Sequence, residues 1–169
     1  MFKKDRFLFA AGVMALLVLA GCGKTMGPPG TDSPGYKEFT AYFENITPFG
    51  NYDVSNSLLA TGEPDDQYAI VETHGSITFD IGQGRSFHSS TGPDLYIYMP
   101  ADRPANYTVH VRHESHGEEN WIEIGRGRGP EEFDFYSHYT GPANFLQIRN
   151  EGTSTLYIDA IKAMHVKLD

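Results

Sequence analysis

The chain is poor in cysteine, in positive charge and in helical periodicity, and each shortage excludes something. Cys22 is the only cysteine among 169 residues. No disulfide can close within the chain, so stability must come from a buried core. Thirteen Lys and Arg stand against 22 Asp and Glu, a formal net charge of −9. That balance argues against nucleic acid, and against docking on anionic lipid through protein charge. After residue 37 no segment repeats its apolar residues with helical period, which argues against a helical domain. The chain has no Gly-x-Ser-x-Gly elbow, no His-Glu-x-x-His and no matched Cys/His pair, so the familiar hydrolase signatures are missing. The paired carboxylates Glu118-Glu119 and Glu131-Glu132 lie in turn-rich stretches and read as solvated.

What is present begins with an address. Lys3, Lys4 and Arg6 precede an almost wholly apolar run from Phe7 to Ala20. The run is shorter than the ~20 residues a spanning helix needs, and it has the layout of a secretory signal. The closing Leu19-Ala20-Gly21-Cys22 resembles the lipobox of bacterial lipoproteins. The resemblance implies diacylglyceryl transfer to the Cys22 sulfur, cleavage before Cys22 and acylation of the new amino group. Each buried methylene contributes roughly 0.8 kcal/mol, so two or more chains anchor stably where one does not. The alternatives are a secreted protein with a chance cysteine and an uncleaved anchor. Gly23 stands where Asp retains enterobacterial lipoproteins at the inner membrane. The resemblance therefore favours the outer membrane or cell surface of a bacterial envelope.

Removal of residues 1–21 leaves 10 basic and 21 acidic residues. Residues 22–37, with the lipidated Cys22 at their head, are rich in Pro and Gly and read as a flexible tether. The domain is expected over residues 38–169. There the period is two: Ser76–Ile81, Tyr107–Arg112 and Asn120–Ile124 alternate polar and apolar residues. Further strand candidates are 39–44, 68–73, 95–99, 132–136, 145–149, 156–159 and 163–167. Gly, Pro, Asn and Asp cluster between them, as in an antiparallel sandwich or barrel.

The order of the segments narrows this. Leu58-Leu-Ala-Thr-Gly-Glu-Pro-Asp65, Gly75-Ser-Ile-Thr-Phe-Asp-Ile81 and Gly92-Pro-Asp-Leu-Tyr-Ile-Tyr98 come first. Val109-His-Val111, Trp121-Ile-Glu-Ile-Gly125, Phe133-Asp-Phe135, Phe145-Leu-Gln-Ile-Arg-Asn150 and Leu156-Tyr-Ile-Asp-Ala-Ile161 follow. Residues 57–165 resemble a galactose-binding-like (discoidin-like) jelly-roll module of bacterial cell-surface proteins. The fold this implies is all-β, an antiparallel β-sandwich. The chain departs from the pattern at Met99-Pro100, where a Glu is common, and at Asn150, where Asp is frequent. It departs again at His113–Asn120, which replaces a Ser-x-Asp-Gly turn.

Asp159 interrupts an apolar segment, and a charge there needs a partner. In related sandwiches an Asp of the last strand often holds a structural calcium, which takes hard oxygen ligands. The resemblance implies Ca2+ at Asp159, with Asp94, Glu44 or Asn150 assisting; otherwise Asp159 accepts backbone hydrogen bonds. His110, His113 and His116 would share a face only on a helix, so on strands they read as solvent-exposed rather than as a metal site. Gly125-Arg-Gly-Arg-Gly129 lacks the Gly-Lys-Ser/Thr ending and following helix of a phosphate loop. It reads as a flexible loop whose Arg126 and Arg128 can meet an acidic ligand. Trp121, Tyr96, Tyr98, Tyr136 and Tyr139 either stack on sugar rings or pack the sandwich faces, with Tyr136 and Tyr139 the expected exposed pair.

The function expected from these readings is a lipid-anchored, non-catalytic binding module that recognises a glycan or another envelope component. A structural or assembly role in an envelope complex, and an unrecognised hydrolase, are the alternatives.

Overall fold

The structure is a computed structural model that describes residues 38–117 and 119–169. The expected signal segment and tether, with Cys22, and Glu118 lie outside the described residues. Among the described residues twelve strands follow one another: β1 (Phe39–Tyr42), β2 (Asn45–Ile46), β3 (Tyr52–Ser55), β4 (Ala69–Asp80), β5 (Arg85–Phe87) and β6 (Leu95–Tyr98). After these come β7 (Asn106–Arg112), β8 (Ile122–Arg128), β9 (Glu131–Phe133), β10 (Phe145–Asn150), β11 (Leu156–Ile158) and β12 (Ala160–Leu168). One turn of 3-10 helix, Ser57–Ala60, sits between β3 and β4.

All pairings are antiparallel, and they make two sheets. The smaller runs β1-β12-β6-β9, with β5 on the far half of β12. The larger runs β11-β4-β10-β7-β8, with β2 and β3 also on β4. Inward positions alternate along the strands as period two requires. Leu95, Ile97, Ile161, Ala163 and Val166 of the smaller sheet bury fully against the apolar side of the larger. Its contributors are Ile77, Phe79, Val109, Val111, Leu146 and Ile148, all fully buried. Phe43, Phe87 and Phe135 fill the space between, with Phe43 edge-on to Phe79 and Phe87. The chain is an all-β antiparallel sandwich, as its alternation predicts.

The differences from the sequence expectation are local and physical. The candidates 68–73 and 76–81 are one strand, β4. Their apparent break is a bulge in which His74 takes φ 64°. Gly75 follows because any Cβ there would stand 2.8 Å from the carbonyl oxygens of Tyr52 and Asp53. Gly125–Arg128, expected as a flexible loop, is the second half of β8. Its glycines serve close approach, not mobility. A Cβ on Gly125 would fall 2.7 Å from the Phe133 ring, and one on Gly127 2.5 Å from the Tyr107 hydroxyl. The turn itself is Gly129-Pro130, with Gly129 at φ 90°. Strands β2, β3 and β5 were not anticipated.

Candidate functional site

The outward side of the larger sheet is polar, and register assembles it. Ser76, Arg149, Thr108 and Arg126 form one cross-strand row through β4, β10, β7 and β8. Thr78, Gln147, His110 and Glu123 form the next. The segment between β2 and β3 folds back over part of this face. The Gly50 carbonyl accepts from Ser76 Oγ (2.9 Å), Thr78 Oγ1 (3.0 Å) and Gln147 Nε2 (3.1 Å). Asn51 Oδ1 takes the Thr78 N–H at 2.8 Å, and its Nδ2 donates to the Thr47 carbonyl at 2.6 Å. Gly50, at φ 74°, has no room for a side chain: a Cβ would lie 2.5 Å from Thr78 Oγ1. Thr78 and Gln147 are thereby buried, and their hydrogen bonds are met as burial demands.

Beyond the covered part, the face opens into two cavities that meet at Glu151. One, of 320 Å3, is lined by Tyr52, His74, Ser76, Gln147, Arg149, Asn150 and Glu151. The other, of 510 Å3, is lined by Asn106, Tyr107, Thr108, Arg126, Gly127, Arg128, Glu131 and Glu151. Arg149 is half-buried and oriented by Nε donation to Gln147 Oε1 at 2.7 Å. Glu151 accepts from Thr108 Oγ1 at 3.4 Å. Arg126 is engaged with Glu123, at 2.8 and 3.3 Å, and this pairing holds the Glu123 carboxyl below its usual pKa. His110 donates or accepts at Thr108 Oγ1 (2.9 Å). Burial, helped by the nearby Arg149 charge, pushes its pKa down to about 4. Tyr52 is 63% exposed and forms the outer wall.

At the other end of the same face, Arg112 lies 4.5 Å above Phe145, 5.1 Å from Phe49 and 5.2 Å from Trp121, ring centroids being the reference. Its Nη1 donates to the His116 carbonyl at 3.2 Å. This is a cation held among aromatic faces, and it occupies one face of Trp121.

The predicted site residues therefore scatter. Arg126 and Arg128 line the larger cavity. Trp121 sits on the same sheet face but stacks on Arg112. Tyr136, 65% exposed, borders a separate 380 Å3 cavity at the loops, with Ser90, Thr91, Gly92 and Asp134. Tyr139 is not its exposed partner: its ring packs on the core and its hydroxyl donates to the Pro142 carbonyl at 2.6 Å. Tyr96 and Tyr98 lie on the outside of the smaller sheet, half-buried. His110, expected in solvent, is 7% exposed because β10 and β8 flank it.

The four residues proposed for calcium do not assemble. Asp159 accepts the N–H groups of Asp65 (3.0 Å) and Asp66 (3.3 Å), clasping the segment before β4. Asp94 accepts from Ser90 N (2.8 Å) and Phe135 N (2.9 Å), tying two loops together. The Asn150 amide donates to the carbonyls of Val71, Glu72 and Ser154, while its Oδ1 accepts from Gly152 N. Glu44 is exposed beyond β1. Among the described residues no three His, Cys, Asp or Glu side chains stand together to hold a metal ion.

Residues that sequence reading missed are Tyr52, His74, Ser76, Gln147, Arg149 and Glu151. Their only signal was position on the polar side of alternating strands.

No protein-family model matches the chain, and no curated protein matches it in sequence. Solved structures do. A CBM32 of AlyQ, described in complex with 4,5-unsaturated mannuronic acid, aligns with a TM-score of 0.52 at 12% identity. The alignment covers 77% of this chain and 99% of that one. A CBM32 module of CpGH89 from Clostridium perfringens aligns at 0.48 and 13% identity, over 76% and 95% of the two chains. A family 29 carbohydrate binding module from Piromyces equi gives 0.49 and 10%, over 78% and 91%. The likeness is one of fold, and it rests on the first of these: the jelly-roll sandwich.

Proposed function

We propose that this protein is a lipid-anchored, non-catalytic envelope module that binds a saccharide along the outer side of its larger sheet. The observation that carries the reading is the pair of cavities meeting at Glu151. They offer hydroxyl, amide, guanidinium and carboxylate groups, most of them held on β4, β7, β8 and β10. Sugars present hydroxyl groups all round, and such a mixed row of donors and acceptors answers them. That the structural neighbours are carbohydrate-binding modules supports the same reading by analogy of fold. An assembly role has narrower support in Leu58 and Leu59, exposed side by side on the 3-10 helix.

The test is a glycan array probed with the full-length chain in detergent, beside an envelope pull-down. Saccharide binding that weakens in Arg149→Gln is the expected result; protein partners alone would favour assembly. The anchor is tested separately, because Cys22→Ser should release the protein or leave its precursor unprocessed. Melting in calcium against chelator tests the ion: with Asp159 and Asp94 already committed to N–H groups, we expect one midpoint in both.

A further inference from the structure

The groove gathers arginines on an acidic chain. Of the six arginines after residue 22, Arg126, Arg128 and Arg149 line its two cavities. They are not equivalent. Arg126 spends its fork on Glu123. Arg149 uses Nε on Gln147 Oε1, and its two terminal nitrogens make no hydrogen bond or ion pair with a described residue. Gln147 is itself 4% exposed and fixed by Gly50 and Thr78, so it aims the guanidinium rigidly. Arg128 is exposed. Its main-chain N–H goes to Glu131 Oε2 at 3.2 Å, while its guanidinium meets no carboxylate among the described residues.

Two available guanidinium groups thus flank a carboxylate, Glu151. By register Arg149 lies opposite Thr108 and Arg128 opposite Asn106. Two strand steps and two residues of rise set their backbones about 12 Å apart. That span is longer than one sugar ring, so a chain of linked sugars can present a separate group to each. A planar fork matches a carboxylate through two parallel hydrogen bonds, which an ammonium cannot do. Glu131 and Glu151 face the same space as acceptors and suit sugar hydroxyls.

We infer that the groove selects an acidic polysaccharide whose repeating sugar carries a carboxylate. Arg149 and Arg128 bind carboxylates on different units of one chain, and Glu151 accepts a hydroxyl between them. The inference rests on the saccharide-binding reading above and names its ligand class.

The experiment is titration calorimetry of the full-length chain in detergent with oligogalacturonate and oligomannuronate. Each is set against its carboxyl-reduced counterpart, in which –CH2OH replaces –COO− on the same backbone. At least one uronate should bind ten- to a hundredfold tighter than its reduced form, the span expected for a charge-assisted pair. Arg149→Gln and Arg128→Gln should each erase part of that factor and the double variant all of it, a loss larger than either causes for the reduced form. The Arg128 side chain is exposed and bonded to nothing described, so its variant keeps the test independent of folding. Equal affinity for native and reduced forms, or an undiminished Arg128→Gln, overturns the inference. Neutral glycans bound on the array with neither uronate bound also overturns it, and leaves the saccharide reading standing. No binding to any saccharide overturns both.

Discussion

The two outer faces of the sandwich have similar strands beneath them and opposite chemistry above. On the smaller sheet, Tyr42, Lys162, Tyr96 and Glu132 form one cross-strand row, with Tyr98 beside it. The rings lean on one another: Tyr96 and Tyr98 lie 4.4 Å apart at 62°, Tyr42 and Tyr98 6.1 Å apart at 46°. Lys162 Nζ sits 5.7 Å over Tyr42. On the larger sheet the corresponding rows are Ser76-Arg149-Thr108-Arg126 and Thr78-Gln147-His110-Glu123. There, part is sealed by the Gly50 segment and part is left with unspent hydrogen-bonding capacity. Abundant aromatics do not by themselves make a binding face. Rings tilted against each other close a surface that flat, separated rings would leave open to a sugar.

Four changes would break or sharpen that contrast. The largest effect should come from Gly50→Val. It places a side chain at positive φ, which costs about 1–2 kcal/mol, and overpacks Thr78 and Gln147 by about 1–3 kcal/mol more. Urea unfolding should show the loss, and saccharide binding should go with it; a variant of unchanged midpoint would mean the segment does not seal the face. Next, Asn150→Ala strips partners from the Val71, Glu72 and Ser154 carbonyls and from Gly152 N. It should cost about 1–3 kcal/mol at constant denaturant slope.

The third concerns pH. His110 ordinarily titrates at 6.5, and in the fold at about 4. Between those values the unfolded chain binds the additional proton, so stability rises with pH across this window and is lost as pH falls through it. His110→Gln should flatten the dependence in unfolding curves recorded from pH 7 to 4. The smallest effect belongs to the smaller sheet. Tyr98→Phe removes a half-buried hydroxyl that meets the Tyr42 hydroxyl; it should cost under about 1 kcal/mol and leave saccharide affinity unchanged. A large affinity loss there would move the binding face.

How much of this was legible follows from which forces act locally. Alternation in Ser76–Ile81 and Tyr107–Arg112 reports burial on one side, and it led to the sheets and to the sandwich. The strands β2 and β5 are too short to alternate. β3 carries Asp53 at φ 46° and ends beside Asn56 at φ 54°, so its pattern is irregular. Glycine misled in β8, because Gly125 and Gly127 look like loop residues until Phe133 and Tyr107 are seen lying against them. Arg126 and Arg128 were singled out for their charge, although on a strand rather than a loop. Arg149 and Glu151 were not, since only the register of β10 against β7 sets them beside that pair. Asp159 was seen to need partners. Those it has are the N–H groups of Asp65 and Asp66, 94 and 93 residues away in sequence.

Three donors from two strands converge on the single carbonyl of Gly50, and Asn51 fastens the same segment from its other side. The consequence is calorimetric. A wall with its torsions already spent has little motion left to surrender when a ligand arrives. Association should therefore release heat with a small entropic penalty from the protein. Because the surface it covers is polar, the accompanying heat-capacity change should be slight.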